Sequence, residues 1–139
     1  DLVVAARSAR FATAYARVGL SPDGGTSWHL ARALPRALAA ELLMCGDLVE
    51  AERLHALGLV NRLADTGQAL QAALDLADTL HGRAPNALAS CKELLDEAAH
   101  QPLSAQLDLE RAHFLRNLTH ANAGEGIAAF LDKRTPHWR

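Results

Sequence analysis

A carboxylate in a glycine-rich turn is the first place in the sequence where residue types and spacing could do chemistry. Asp23 follows Pro22 and precedes two glycines in the run VGLSPDGGTSWHL, which continues into an apolar, helix-like segment. Proline fixes one backbone dihedral and glycine supplies the open ones, so the composition predicts a turn over 21–25. A carboxylate just ahead of a helix is favoured in its ionised form by the helix dipole and the free N–H groups of the first turn. Ionised Asp23 is therefore a candidate general base, the alternative being a residue that only caps the helix or holds the turn.

The elements that would position this turn are a few short strands followed mostly by helices. We expect a buried strand at 2–6, a second short strand at 11–15 and a further strand at 59–63. Thr26 or Ser27 is expected to cap a helix that runs to about Leu34, and Gly46 to end the next one. Apolar residues spaced by 3, 4 and 7 predict further amphipathic helices in the segments 50–57, 70–80, 86–98, 103–118 and 124–131.

Composition and charge exclude several classes of function. Fourteen Lys and Arg stand against sixteen Asp and Glu in the 139 residues, so no basic surface for nucleic acid or an anionic membrane is expected. No apolar run approaches the roughly 20 residues that a membrane span needs. None of the seven histidines stands at metal-ligand spacing, so no metal site is predicted. Cys45 and Cys91 lie in apolar helical runs and are expected to be buried thiols, which favours a reducing compartment.

The sequence starts abruptly, with the apolar run DLVVAA and no signal peptide. A strand this apolar needs neighbours on both faces. We therefore expect that residue 1 is not the natural N-terminus and that the chain is part of something longer.

Separated sequence blocks, in order, resemble the crotonase superfamily, the enoyl-CoA hydratases and isomerases. Phe11 and a short strand precede the first block, and the blocks are GLSPDGGT (19–26), ELLMCG (41–46), GLVNR (58–62) and GEGIAAFLDKRTPHW (124–138). The resemblance covers essentially the whole chain but only the C-terminal half to three-fifths of a family member. It implies an α/β fold, the crotonase-like ββα spiral, here represented by its last strands and by a helical C-terminal trimerisation region.

The resemblance also implies a domain organisation and partners. Residues 1–65 would complete the spiral core and residues 66–139 would form the helical region, with assembly as a homotrimer or hexamer. The substrate would be an acyl-CoA, with coenzyme A as part of the substrate and no separate cofactor. The location would be cytoplasmic, or the mitochondrial matrix in a eukaryote. The N–H groups of the oxyanion hole would belong to the half that the chain lacks.

Residue roles follow from the matched positions. Hydratases of the family use two glutamates, and the position of one of them is Tyr15 here. A subgroup that includes ring-epoxide and dienoyl-CoA isomerases instead places an aspartate in the PD–GG turn, where Asp23 stands. Asp23 is thus predicted to be the catalytic acid/base, moving a double bond without adding water, although the nucleophilic chemistry of a related dehalogenase stays open. The other residues assigned to the substrate are Tyr15, Pro22, Gly24, Trp28, Phe130 and Lys133.

Several of these residues also have a simpler interpretation. Tyr15 is either a core aromatic or a wall or hydrogen-bond donor for the acyl group, and Trp28 and Phe114 are typical of packing residues. Phe130 and Lys133 either form a solvated helix end or reach the nucleotide of coenzyme A. Because the second acid is missing at Tyr15, a non-catalytic member that binds acyl-CoA or only assembles is the alternative function.

Overall fold

Four short strands and seven α-helices follow one another in the computed structural model, which describes residues 1–139. The strands are β1 (Val4–Ala6), β2 (Arg10–Phe11), β3 (Val49–Glu50) and β4 (Arg62–Ala64). The helices are α1 (Thr26–Ala33), α2 (Arg36–Cys45), α3 (Ala51–Ala56), α4 (Ala69–His81), α5 (Pro85–Ala98), α6 (Leu103–Leu118) and α7 (Ala121–Leu131), with a 3-10 helix at Ala14–Val18. The predicted order, a little β first and then mostly α, is confirmed.

The strands form two separate pairs. β1 lies parallel to β4, with Val4 opposite Arg62 and Ala6 opposite Ala64. β2 runs antiparallel to β3, with Phe11 opposite Val49. A parallel pair needs a long crossover connection, and here it contains the 3-10 helix and α1 to α3.

The chain divides into two compact units, Asp1–Asp75 and Leu76–Arg139. The division falls within α4. The predicted boundary between the spiral core and the helical region lies after residue 65 and stays a prediction. The core of the first unit is built from small and medium-sized apolar side chains on β1 and β3, on helices α2 and α3, and on the flanking loops. Its buried members are Ala5, Leu34, Ala39, Leu42, Val49, Ala51, Leu54 and Val60.

A chain of side-chain amides crosses the second unit. Asn122 donates from Nδ2 to Oδ1 of Asn86 (2.7 Å), and Asn86 donates in turn to Oδ1 of Asn117 (2.8 Å). Asn117 completes the chain by donating to Oγ of Ser90 (2.8 Å). Ser90 and Asn122 are both buried, so their hydrogen bonds within the protein replace the ones that their side chains would make with water. The chain links α5, α6 and α7 and favours one register of the three helices.

Two expectations about the elements are wrong. The segment 11–15 is a strand only at its start, because β3 offers partners only to Arg10 and Phe11, and Tyr15 lies in the 3-10 helix. Cys45 and Cys91 are exposed and not buried. On α5 the buried residue of that turn is Ser90, which the amide chain holds inward.

The predicted helices are present, but large members of their apolar stripes are exposed in this chain. Leu70, Leu95, Leu103 and Phe114 each keep more than half of their surface accessible. None of the seven helices combines the length with the apolar character that crossing a membrane requires.

Gly46 ends α2 in a position that favours glycine. Its φ is +64°, and its N–H donates to the carbonyl of Leu42 (3.2 Å), which confirms the predicted C-cap. A Cβ at this position would lie 3.2 Å from Cγ of Arg17 and 3.3 Å from the carbonyl oxygen of Thr13. Both the left-handed backbone and the crowding therefore oppose any side chain.

Gly46→Ala should destabilise the protein by about 1–2 kcal/mol, because an L-residue is strained in the left-handed region. The matched control is Gly124→Ala in α7, where a Cβ would meet nothing within 4 Å. Removing a glycine from a helix interior should stabilise the protein by about 0.5–1 kcal/mol. Denaturant unfolding of both variants measures the two signs, and a neutral Gly46→Ala variant would contradict the account of this cap.

Candidate functional site

Two consecutive left-handed glycines shape the turn that carries Asp23. Gly24 has φ +57° and Gly25 has φ +81°. The N–H of Thr26 donates to the carbonyl of Asp23 (3.1 Å), which closes a four-residue turn. Positive φ at both central positions is the mark of a type I′ turn, which explains why two glycines follow the aspartate. The predicted turn is confirmed.

Helix α1 begins directly after this turn. Its N-cap is Gly25, and Thr26 is its first residue. The expectation that Thr26 or Ser27 caps the helix is wrong, because the left-handed glycine already supplies the change of direction. The Thr26 hydroxyl donates instead to the carbonyl of Asp23 (2.8 Å), which therefore receives two hydrogen bonds from one residue.

The hydroxyl of Tyr15 donates to Oδ1 of Asp23 at 2.7 Å. Tyr15 lies in the 3-10 helix, which Gly19 ends with φ +75°, and the N–H of Leu20 donates back to the Tyr15 carbonyl (3.0 Å). The chain then returns so that residue 23 faces residue 15. The sequence singled out both residues, but it did not indicate that they bind each other. Asp23 is exposed, so its carboxylate is also accessible to a ligand.

This contact changes the acidity of the tyrosine. The hydrogen bond to Asp23, followed by the negative charge of that carboxylate, raises the pKa of Tyr15 above its usual value. The neutral phenol is stabilised because a phenolate could not donate the bond and would repel the carboxylate. Tyr15 is therefore a hydrogen-bond donor at neutral pH and not a base.

Three other predicted substrate residues lie in or just after the turn. Pro22 is partly buried and Gly24 is exposed. Trp28, in the first turn of α1, keeps 47% of its surface accessible. The guanidinium of Arg32 lies 3.8 Å from the centroid of the Trp28 ring, which is a cation–π contact between residues one turn apart. Trp28 is thus a half-exposed aromatic held by a cation and is not a core residue.

An apolar cavity of about 230 Å³ lies within the first unit, against the start of α1. Thr26, which binds the Asp23 carbonyl, is one of its wall residues. The remaining wall is largely aliphatic and is contributed by Phe11, Ala12, Thr13, Leu30, Leu42, Asp47, Val49, Leu54 and Leu59.

Phe130 and Lys133 stand together at the end of α7, in the second unit. Phe130 is 82% exposed. Lys133 has φ +54°, the only positive value among the non-glycine residues. The N–H of Arg134 donates to the carbonyl of Ala129 (3.0 Å), so the chain closes α7 by turning back at Lys133.

A carboxylate that the sequence analysis did not single out, Glu125, anchors the segment after α7. Arg134 donates to both of its oxygens, at 2.6 and 3.0 Å, and the N–H of His137 donates at 2.8 Å. The hydrogen bond from Arg134 is the main reason why the pKa of Glu125 falls to about 2. The resulting stabilisation is complete above the carboxyl's usual pKa and is lost as the pH falls towards 2. In the sequence, the only indication of a role for Glu125 was its place in the matched block 124–138.

Comparison with known proteins places this geometry in a family. The model of the enoyl-CoA hydratase/isomerase family matches residues 1–139. A 1,2-epoxyphenylacetyl-CoA isomerase of Escherichia coli (strain K12) is 36% identical over 138 residues, which cover 99% of this chain and 53% of that protein. A carnitinyl-CoA dehydratase of Salmonella typhi is 33% identical over 143 residues, covering 100% of this chain and 55% of the relative. The chain spans about half the length of the curated relatives it matches.

A solved structure extends the likeness to three dimensions. The crystal structure of an enoyl-CoA hydratase from Polaromonas sp. JS666 superposes with a TM-score of 0.98 at 63% identity, over 100% of this chain and 54% of that one. The predicted fold class, part of a crotonase-like fold that is mostly helical here, is thereby confirmed. The chain belongs to the enoyl-CoA hydratase/isomerase family of the crotonase superfamily.

Proposed function

We propose that the protein shifts a double bond in an enoyl-CoA thioester, with Asp23 as the acid/base. The observation that carries this proposal is the accessible Asp23 carboxylate, fixed in a type I′ turn and bonded at one oxygen. A C–H bond next to the conjugated system breaks, its electron pair enters the thioester enolate, and the proton binds Asp23. The same proton then returns to a different carbon, so the net change is the position of the double bond. The enolate needs N–H donors for its oxygen, and we assign them to the part of the relatives that this chain does not span.

The choice of isomerisation over hydration depends on Tyr15. Adding water across a double bond in the hydratases uses two carboxylates, which orient the water and take its proton. Here the partner of Asp23 is a phenol whose pKa is raised, so it does not act as a second base. One of the relatives is named an isomerase of an epoxide CoA ester, and another is named a dehydratase, so the relatives' names do not by themselves decide between the two reactions.

The substrate class follows from the relatives' names and from the site. Both named relatives act on CoA esters. We place the acyl group near Tyr15, Pro22, Gly24 and Trp28. Phe130 and Lys133 would meet the nucleotide of coenzyme A, which is part of the substrate, and we propose no separate cofactor. The exposed leucines of α6 support assembly as a homotrimer or hexamer, and we propose a cytoplasmic location, or the mitochondrial matrix in a eukaryote.

The same tyrosine favours a second candidate function, because it stands where the hydratases have a second acid. A protein with a single acid at this site could bind acyl-CoA, or only assemble, without turning it over. The two functions differ in what happens to bound substrate, so activity and binding have to be measured on the same preparation.

Asp23→Asn should reduce double-bond migration in the intact protein by about 10²–10⁴-fold, because an amide cannot take up the proton. Acyl-CoA binding, measured by calorimetry, should persist. The matched control is Glu52→Gln, which removes an exposed carboxylate of the same unit that pairs with Arg7 (3.1 Å) and should leave turnover unchanged. Full turnover in the Asp23→Asn variant would rule out the proposed role, and absence of turnover in the unmodified protein despite binding would favour the non-catalytic function.

Hydration of a 2-enoyl-CoA should be slow relative to isomerisation on one preparation. The reason is that the neutral Tyr15 phenol replaces the second carboxylate. Chromatography of the products measures both reactions, because the 3-hydroxyacyl thioester formed by hydration separates from the isomeric enoyl thioester formed by migration. Hydration as fast as migration would show that the interpretation of Tyr15 is wrong.

Lys133→Ala and Lys133→Gly should both weaken coenzyme A binding, by roughly 1–3 kcal/mol, because both remove a cation from the phosphates. The glycine variant should also be more stable than the alanine variant, by about 1 kcal/mol, because glycine accepts the positive φ of this position. Calorimetry with coenzyme A and thermal unfolding separate the two effects, while light scattering checks that assembly is unchanged. If only the alanine variant lost affinity, the backbone at residue 133 and not its charge would be responsible.

A further inference from the structure

The Tyr15 hydroxyl has a single proton, and the structure shows where that proton goes. It lies between the phenol oxygen and Oδ1 of Asp23, whose separation is 2.7 Å. Bonds of this kind between a hydroxyl and a carboxylate are short and about twice as strong as bonds between neutral groups. A ligand that approaches Asp23 therefore meets a carboxylate with one oxygen already engaged.

The backbone of Asp23 is also fixed. Its carbonyl accepts both the N–H (3.1 Å) and the hydroxyl (2.8 Å) of Thr26. With the main chain held on this side, the remaining freedom of Asp23 lies in its two side-chain torsions. The contact with Tyr15 restricts those torsions, and it comes from a different element, the 3-10 helix.

We propose that Tyr15 is a positioning residue for the Asp23 base, which it holds through Oδ1 so that Oδ2 faces the substrate. The proposal rests on the proposed function. Oδ2 takes the proton as the C–H bond breaks and its electron pair enters the enolate, and the same oxygen then returns the proton to the second carbon. Tyr15 keeps its own proton throughout. A carboxylate free to rotate about its Cβ–Cγ bond would turn the carried proton away from the second carbon between the two steps.

This role differs from a wall or donor facing the acyl group, because the hydroxyl is directed at the aspartate and not at the space beyond it. The acidity of the phenol agrees with the role. Its raised pKa keeps the proton on Tyr15 at neutral pH.

Tyr15→Phe in the intact protein tests the proposal, since it removes the hydroxyl and keeps the ring. We expect kcat to fall roughly 10- to 100-fold, while KM for the acyl-CoA stays within about twofold and the unfolding temperature is unchanged. In an Asp23→Asn background the same substitution should cause no further loss of residual turnover, because Tyr15 acts only through the aspartate. A change confined to KM or to the unfolding temperature, or an equal loss in both backgrounds, would overturn the positioning role.

The failures of the two proposals are distinguishable. Full turnover in Asp23→Asn defeats the proposed function itself. Loss of turnover in Asp23→Asn together with unchanged kcat in Tyr15→Phe defeats only the positioning role.

A titration provides a second measurement. The near-ultraviolet phenolate absorbance of the intact protein, minus that of its Tyr15→Phe variant, follows this one group. We expect ionisation at a higher pH than in an unfolded control, and a shift back towards the ordinary value in Asp23→Asn. Identical titration curves for Asp23→Asn and the unmodified chain would show that the pair does not form in solution, which would overturn the proposal.

Discussion

Three left-handed glycines determine the path of the chain between Tyr15 and Asp23, and the site depends on them. Gly19 ends the 3-10 helix, while Gly24 and Gly25 form the centre of the turn that leads into α1. An L-residue at any of these positions would cost on the order of 1–2 kcal/mol. Two groups eight residues apart meet within hydrogen-bond distance only because the chain reverses direction between them. The glycines thus act on the chemistry indirectly, by deciding which side chains become neighbours.

The identity of residue 15 sets the charge of the site. Two carboxylates this close would repel each other, and one of them would hold a proton at neutral pH. A phenol and a carboxylate have no such conflict, because the phenol already carries a proton that it does not release in this pH range. The pair therefore has one negative charge, one donor and one free carboxylate oxygen. That set is the basis of the proposed transport of a single proton between two carbons.

The features that could be predicted from the sequence are those with local causes. The composition of the Asp23 turn predicted a turn, and Gly46 predicted the end of α2, because glycine there relieves a strain within a few residues. The pairing of Tyr15 with Asp23 could not be predicted, since it requires the 3-10 helix, whose segment was interpreted as a strand from its loose alternation. The burial of Ser90 in place of Cys91 depends on the amide of Asn117 across a helix–helix contact, and no local pattern contains that information.

The end of α7 combines two opposing local effects. Lys133 has a left-handed backbone, which costs a non-glycine residue on the order of 1 kcal/mol. A cation at a helix C-terminus regains about 0.3–1 kcal/mol from the helix dipole, so the two effects roughly cancel. Contacts of the segment that follows fix the backbone path at this position. Glu125 binds Arg134 and the N–H of His137 and so determines where that segment runs. Local stability therefore hardly distinguishes lysine from glycine here, so the helix end by itself does not account for the lysine.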